Sequence, residues 1–167
     1  MALSTARTLD ALRGEYQQLY DSAVIRPERL RSVDDRVNRL AASEARYRAV
    51  ADPLGVPWHV VAIVHSLEGG GFGAHLHNGD PLTARTTHVP VGRPVAGNPP
   101  FTWEESAIDA IRSRGWSGAT DWSVPGTLFQ LERYNGFGYR PLGVPTPYLW
   151  SFTSQYSRGK FTSDGQF

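Results

Sequence analysis

Between Pro57 and Glu68 the chain reads Pro-Trp-His-Val-Val-Ala-Ile-Val-His-Ser-Leu-Glu, with no formal charge before the closing carboxylate. A segment that is apolar nearly all round predicts a helix buried by its neighbours. Gly69-Gly70-Gly71 follows at once and should end it. Elsewhere the pattern is amphipathic. Residues 5–20 and 27–51 read as helices. In the second, Pro27 takes a first-turn position, and Val33, Val37, Leu40, Glu44 and Tyr47 recur at three- and four-residue spacing. That stripe should lie on a core, with the charged face outward.

After Asp52-Pro53 breaks the helical pattern, glycine and proline become frequent. Residues 69–81 read as a glycine-rich loop, 82–91 as short β segments in a small hairpin because of Thr86, Thr87 and Val89, and 92–100 as a Pro/Gly loop. Thr102-Trp103-Glu104-Glu105 has the spacing of a capping box and predicts a helix running to about Arg114. A last helix should start near Ser123, with Pro125 in its first turn and Val124, Leu128, Leu131 and Asn135 on one stripe, and stop at Gly136. The segment beyond is irregular and aromatic: Phe137, Tyr139, Tyr148, Trp150, Phe152, Tyr156, Phe161 and Phe167. The expectation is one domain over 1–167, mainly α, a helical bundle around a buried central helix with a small β-hairpin.

Composition narrows the function classes. At 167 residues with 40% hydrophobic and 20% charged residues, the chain can bury a true core. No apolar run reaches 18 residues, so membrane insertion is not expected. Met1 to Glu15 carries early charges and lacks the apolar stretch of a secretory signal. The absence of cysteine removes disulfides, thiolate catalysis and cysteine-ligated zinc together. A net charge of +1 gives no reason to expect nucleic acid as a partner.

Glu68 is the first candidate for chemistry. A carboxyl at the negative end of a helix, among apolar neighbours, should have its pKa raised, because both influences disfavour the ionised form. A carboxylic acid that keeps its proton near neutrality suits protonation of a glycosidic oxygen. Asp80, in His75-Leu76-His77-Asn78-Gly79-Asp80-Pro81-Leu82, is either a turn residue or a second carboxylate facing the sugar. His77 and Asn78 suit hydrogen bonds to sugar hydroxyls. The His75/His77 pair, completed by His65, His88 or Asp80, also admits a zinc site, although the expectation is no metal and no cofactor. Thr86 is either a β-favouring residue or a hydroxyl that positions water. Near the end, Tyr134 and Tyr139 offer faces for sugar stacking, and Asn135 an amide freed by Gly136.

These segments together resemble the lysozyme superfamily. Goose-type lysozymes and lytic transglycosylases place their acid at the end of a central helix and carry a Tyr-Asn-x-Gly-like motif downstream. Glu68 stands at the first position, and Tyr134, Asn135 and Gly136 or Gly138 stand near the second, with Arg133 where that family carries alanine. Phage-type lysozymes place an Asp and a Thr after the catalytic Glu, as Asp80 and Thr86 are placed here. His-Ser-Leu-Glu, His-Leu-His-Asn-Gly-Asp-Pro-Leu, Thr-Trp-Glu-Glu-Ser-Ala and Pro-Tyr-Leu-Trp-Ser-Phe, within residues 55–167, are similar to segments of bacterial and phage proteins of cell-wall lysis. The resemblance implies an α+β lysozyme-like fold and a muramidase acting on peptidoglycan glycan strands, with Glu68 as acid and Asp80 as second carboxylate. The lack of a secretion signal and the one-domain size lead to the expectation of a phage endolysin or prophage relative, a monomer released by a holin to act on the cell wall or periplasm. The alternatives are a lytic transglycosylase with Glu68 alone, a zinc cell-wall peptidase using His75 and His77, and a non-catalytic module stacking sugars on Tyr139, Tyr148 and Trp150.

Overall fold

The structure, a computed structural model, describes residues 3–69 and 71–160; Gly70, Phe161 and Phe167 lie outside them. The described residues are mainly helical: α1 (Leu9–Asp21), α2 (Leu30–Ala41), α3 (Glu44–Ala51), α4 (Trp58–Glu68), α5 (Trp103–Ser113), α6 (Val124–Asn135) and a short α7 (Pro147–Trp150). They fall into two compact units. One comprises the described parts of Met1–Val37 and Asp121–Phe167, the other Asn38–Thr120.

In the first unit α1 packs on α6. Leu12, Tyr16, Phe129 and Trp150 form the core, flanked by Leu9, Leu19, Leu128 and Leu149. Ser123 caps α6 by accepting from the Gly126 amide at 3.3 Å. The expected stripe on α6 holds in part: Leu131 is buried and Leu128 packs on the core, whereas Val124 is exposed and the buried face widens to include Phe129 and Glu132. The late aromatic segment is tied down by backbone pairing: Ile25 and Thr153 form an antiparallel bridge, and Ser154 donates to the Val24 carbonyl at 2.8 Å.

In the second unit α3 packs on both α4 and α5. The apolar segment forms its expected helix, α4, and Val60, Val61, Ala62 and Val64 are buried. Each valine withdrawn from water contributes roughly 1.5–3 kcal/mol. The capping box at α5 is present: Thr102 Oγ1 accepts from the Glu105 amide at 3.2 Å, and Glu105 accepts from the Thr102 amide at 2.7 Å. Trp103, Ala107 and Ile111 carry α5 into the core.

Two expectations are corrected. The helix over 27–51 is divided: a 3₁₀ turn at Pro27–Arg29, then α2, then a break at Ala42-Ser43 before α3. Its stripe does not lie on a core throughout, since α2 buries no residue and only α3 contributes Tyr47, Val50 and Ala51. The β-hairpin over 82–91 does not form. The extended backbone at Ala74 and Pro81 makes one isolated bridge, and the amides of Thr87 and His88 go to the Asp80 carboxylate instead of a partner strand. Pro90, within that segment, also lacks the N–H that a ladder needs.

Candidate functional site

Glu68 is the last residue of α4, and Gly69, at φ 69°, takes the left-handed conformation that ends the helix. One turn earlier His65 is buried. Its Nδ1 lies 3.0 Å from the Tyr47 hydroxyl, and its ring packs at 4.7 Å on Phe72 and 4.8 Å on Trp103. Arg46 covers the outer face of Phe72 at 3.9 Å and pairs with Glu104 at 2.6 Å. This aromatic cluster anchors the end of α4 from α3, α5 and the returning loop. Glu68 itself is exposed. The expected burial of this carboxyl is therefore not met, because the apolar face of α4 turns inward one residue before it.

Asp80 organises the loop that follows. Its Oδ2 accepts from the amides of Thr87 at 2.7 Å and His88 at 3.0 Å and from Asn78 Nδ2 at 3.2 Å, while Oδ1 accepts from His88 Nδ1 at 2.6 Å. The amide and imidazole of His88, joined by the Thr87 amide, hold the Asp80 carboxyl well below the usual carboxylate range against the opposing effect of burial. The Asn78 amide is spent in the same loop. It donates to the His88 carbonyl at 2.9 Å, and its oxygen accepts from the Asp80 amide at 3.0 Å. Thr86 is buried; its hydroxyl donates to the Pro90 carbonyl and accepts from the Arg93 amide at 2.8 Å. The roles expected of Asn78 and Thr86, sugar contact and water positioning, are thus occupied by internal bonds. The group this loop presents outward is His88, whose side chain is 82% exposed.

The other two histidines turn inward. His75 Nε2 donates to the Ala84 carbonyl at 2.7 Å, and its Nδ1 lies 2.8 Å from Ser106 Oγ. His77 Nε2 donates to Asp109 at 2.8 Å, with Nδ1 3.4 Å from the same serine. Burial, the largest influence, pushes the His77 imidazole below its ordinary value, and Asp109 opposes this only in part. Ser106, His77 and Asp109 have the order of a nucleophile–base–acid triad, but Ser106 is 0% exposed and no substrate can reach it. The arrangement pins the loop to α5. His77 is therefore not placed to hold a sugar. Among the described residues no group of three His, Asp or Glu side chains could hold a metal ion, so the zinc reading has no ligand set.

Tyr134, Asn135 and Tyr139 belong to the first unit. Asn135 Nδ2 turns back to the Leu131 carbonyl at 2.9 Å and does not extend from the helix end. Tyr139 is buried, edge-on to Tyr148 at 6.2 Å, so its face is not offered for stacking; Trp150 is likewise in the core. Tyr134 is half-buried.

Sequence reasoning missed the buried network beside these residues. Glu132 accepts from the Tyr16 hydroxyl at 2.6 Å and from Arg140 Nη2 at 2.8 Å, and Arg140 Nη1 reaches Glu15 at 2.5 Å. Ser106 and Asp109 were missed as well. Their only signal was polar residues on the inner and outer faces of one helix. Compared with family models, curated proteins and solved structures, the chain matches none. No helix among the described residues is long and apolar enough to cross a membrane.

Proposed function

We propose that this chain is a peptidoglycan glycosidase that cleaves the β-1,4 bond between N-acetylmuramic acid and N-acetylglucosamine, with Glu68 as general acid. The observation that carries this reading is the carboxyl at the exposed tip of an otherwise buried apolar helix, held at its last turn by the Tyr47–His65–Phe72–Trp103 cluster. A rigid element that ends on an accessible carboxyl suits proton delivery to a leaving oxygen. Glu68 would protonate the glycosidic oxygen as the C1–O bond breaks, and water would add to C1 and give up its proton. Asp80 stays in the reading as a fixed negative charge, and the proton that the water releases passes to the solvent to which Glu68 is exposed. The substrate is the glycan strand, so the site of action is the cell wall.

One observation favours a second reading. Asp80 spends its carboxylate on three loop residues, Asn78, Thr87 and His88, which suits a single-carboxylate lytic transglycosylase in which the muramic acid's own hydroxyl closes an anhydro ring. Mass spectrometry of fragments released from purified peptidoglycan separates the two, since hydrolysis adds water and ring closure does not. Glu68→Gln should lower release by about 10²–10⁴-fold while leaving glycan binding intact. Undiminished release by Glu68→Gln would refute the assignment.

A further inference from the structure

The outer face of α5 and the loop at 93–97 enclose a groove of about 290 Å³, separate from the Asp80 loop hub. Its wall is apolar along Pro94, Val95 and Ile108, with one guanidinium on each side: Arg93 from the loop and Arg112 from the helix. Two carboxylates also line it: Asp109 is engaged through both oxygens, Glu105 through one. Glu105 is turned to the amide and hydroxyl of Thr102 as the cap of α5. Asp109 gives its short bond to His77, accepts from the Val95 amide at 3.3 Å, and meets Arg93 only at 3.4 and 3.5 Å. Apart from the second Glu105 oxygen, about two helical turns before Arg112 on α5, the capacity left in the groove is donor capacity, chiefly on the Arg112 guanidinium. The Arg112 side chain is exposed and makes no hydrogen bond or ion pair with the described residues. A guanidinium matches a carboxylate with two parallel donors, and the apolar wall suits a small aliphatic side chain beside that carboxylate. The volume is at the small end of ligand sites and fits a few residues of peptide.

We infer that this groove binds a short peptide carrying a free carboxylate next to a small apolar side chain. Resting on the glycosidase reading, the peptide is the acidic stem attached to the muramic acid of the glycan strand. Arg112 clamps the carboxylate, Arg93 leaves its long contact with Asp109 to share it, and the methyl-sized side chain lies against Val95 and Ile108. Such a subsite would make intact peptidoglycan a better ligand than glycan stripped of peptide.

The test uses the full chain and a sugar-free stem peptide, so that it does not depend on bond cleavage. Amide chemical shifts should move along 93–97 and 105–113 on titration with the peptide. The same peptide with its carboxylates amidated should bind about tenfold more weakly, which corresponds to about 1.4 kcal/mol. Arg112→Gln, at an exposed position, should weaken the acidic peptide by a similar factor without altering the fold. Absence of binding, equal affinity for the two peptides, shifts confined to other segments, or unchanged affinity in Arg112→Gln would each overturn the inference. Peptide binding without glycan cleavage would refute the glycosidase reading alone, and cleavage without peptide binding would refute this subsite alone.

Discussion

Removing the Glu132 carboxylate tests how the first unit is held together. Glu132 and Arg140 are 2% and 4% exposed, and Tyr16 is fully buried, so none of the three exchanges its partner for water. In Glu132→Ala, Arg140 loses one of two carboxylates and the Tyr16 hydroxyl loses its acceptor. Breaking a buried pair by removing one partner typically costs about 3–5 kcal/mol. Glu15 at 2.5 Å and the Ser4 carbonyl at 2.9 Å stay with Arg140 and place that part near the lower figure. The orphaned phenol adds about 1 kcal/mol. Arg140 Nε is already buried without a partner, so the guanidinium has no spare bond to offset the loss. The sum, about 4 kcal/mol, corresponds to a fall in melting temperature of about 8–16 °C at 2–4 °C per kcal/mol for a chain of this length. Urea unfolding at pH 7 followed by far-UV circular dichroism gives the free energy directly, with Glu132→Gln expected to lose less because it keeps the volume and one acceptor oxygen. A loss below about 1 kcal/mol in Glu132→Ala would refute the reasoning, since it would mean the network is solvated or dispensable.

Two further outcomes follow from the same geometry. A methyl at Gly126 would sit 2.2 Å from the Asp121 carbonyl oxygen, so Gly126→Ala should destabilise by roughly 1–3 kcal/mol, although alanine ordinarily favours a helix by up to about 1 kcal/mol; a stabilised variant in urea titration would contradict the packing. Because burial depresses the folded His77 below its usual value near 6.5, the unfolded chain takes up the proton first as pH falls. Stability from this group is present above that value and lost below it, so the melting temperature should fall on acidification through pH 6.5 and fall less in His77→Gln; equal slopes in the two proteins would exclude His77 as the cause.

The glycosidase reading rests on Glu68, which is exposed where burial was expected, and the residues expected to assist it are placed otherwise than expected. Polar residues of a loop are easily read as ligands for a polar substrate. Here most of them serve the loop. A segment without strand pairing must satisfy its amides in another way, and Asp80, Asn78 and Thr86 do so, while His75 donates to the Ala84 carbonyl and His77 to Asp109. The requirement is local and strong, and it consumes the donors and acceptors that a sugar would otherwise use. The His88 side chain stays outward, although Asp80 holds that residue by its amide and by one ring nitrogen.

What the sequence determined was local. Continuous apolarity made α4 a buried helix. The four-residue box Thr102–Glu105 set the start of α5, Ser123 with Pro125 set the start of α6, and glycines at 69 and 136 set two helix ends. Each of these signals acts within one turn, through propensity, capping or backbone freedom, and so needs no distant partner. Tertiary structure decided the rest. It set which face of α6 turns in, left α2 with no residue buried, and made Asp80 a loop hub. It joined Glu15, Tyr16, Glu132 and Arg140 across more than 110 residues of chain. Such pairings depend on which surfaces meet, and periodicity along one segment carries no information about its partner.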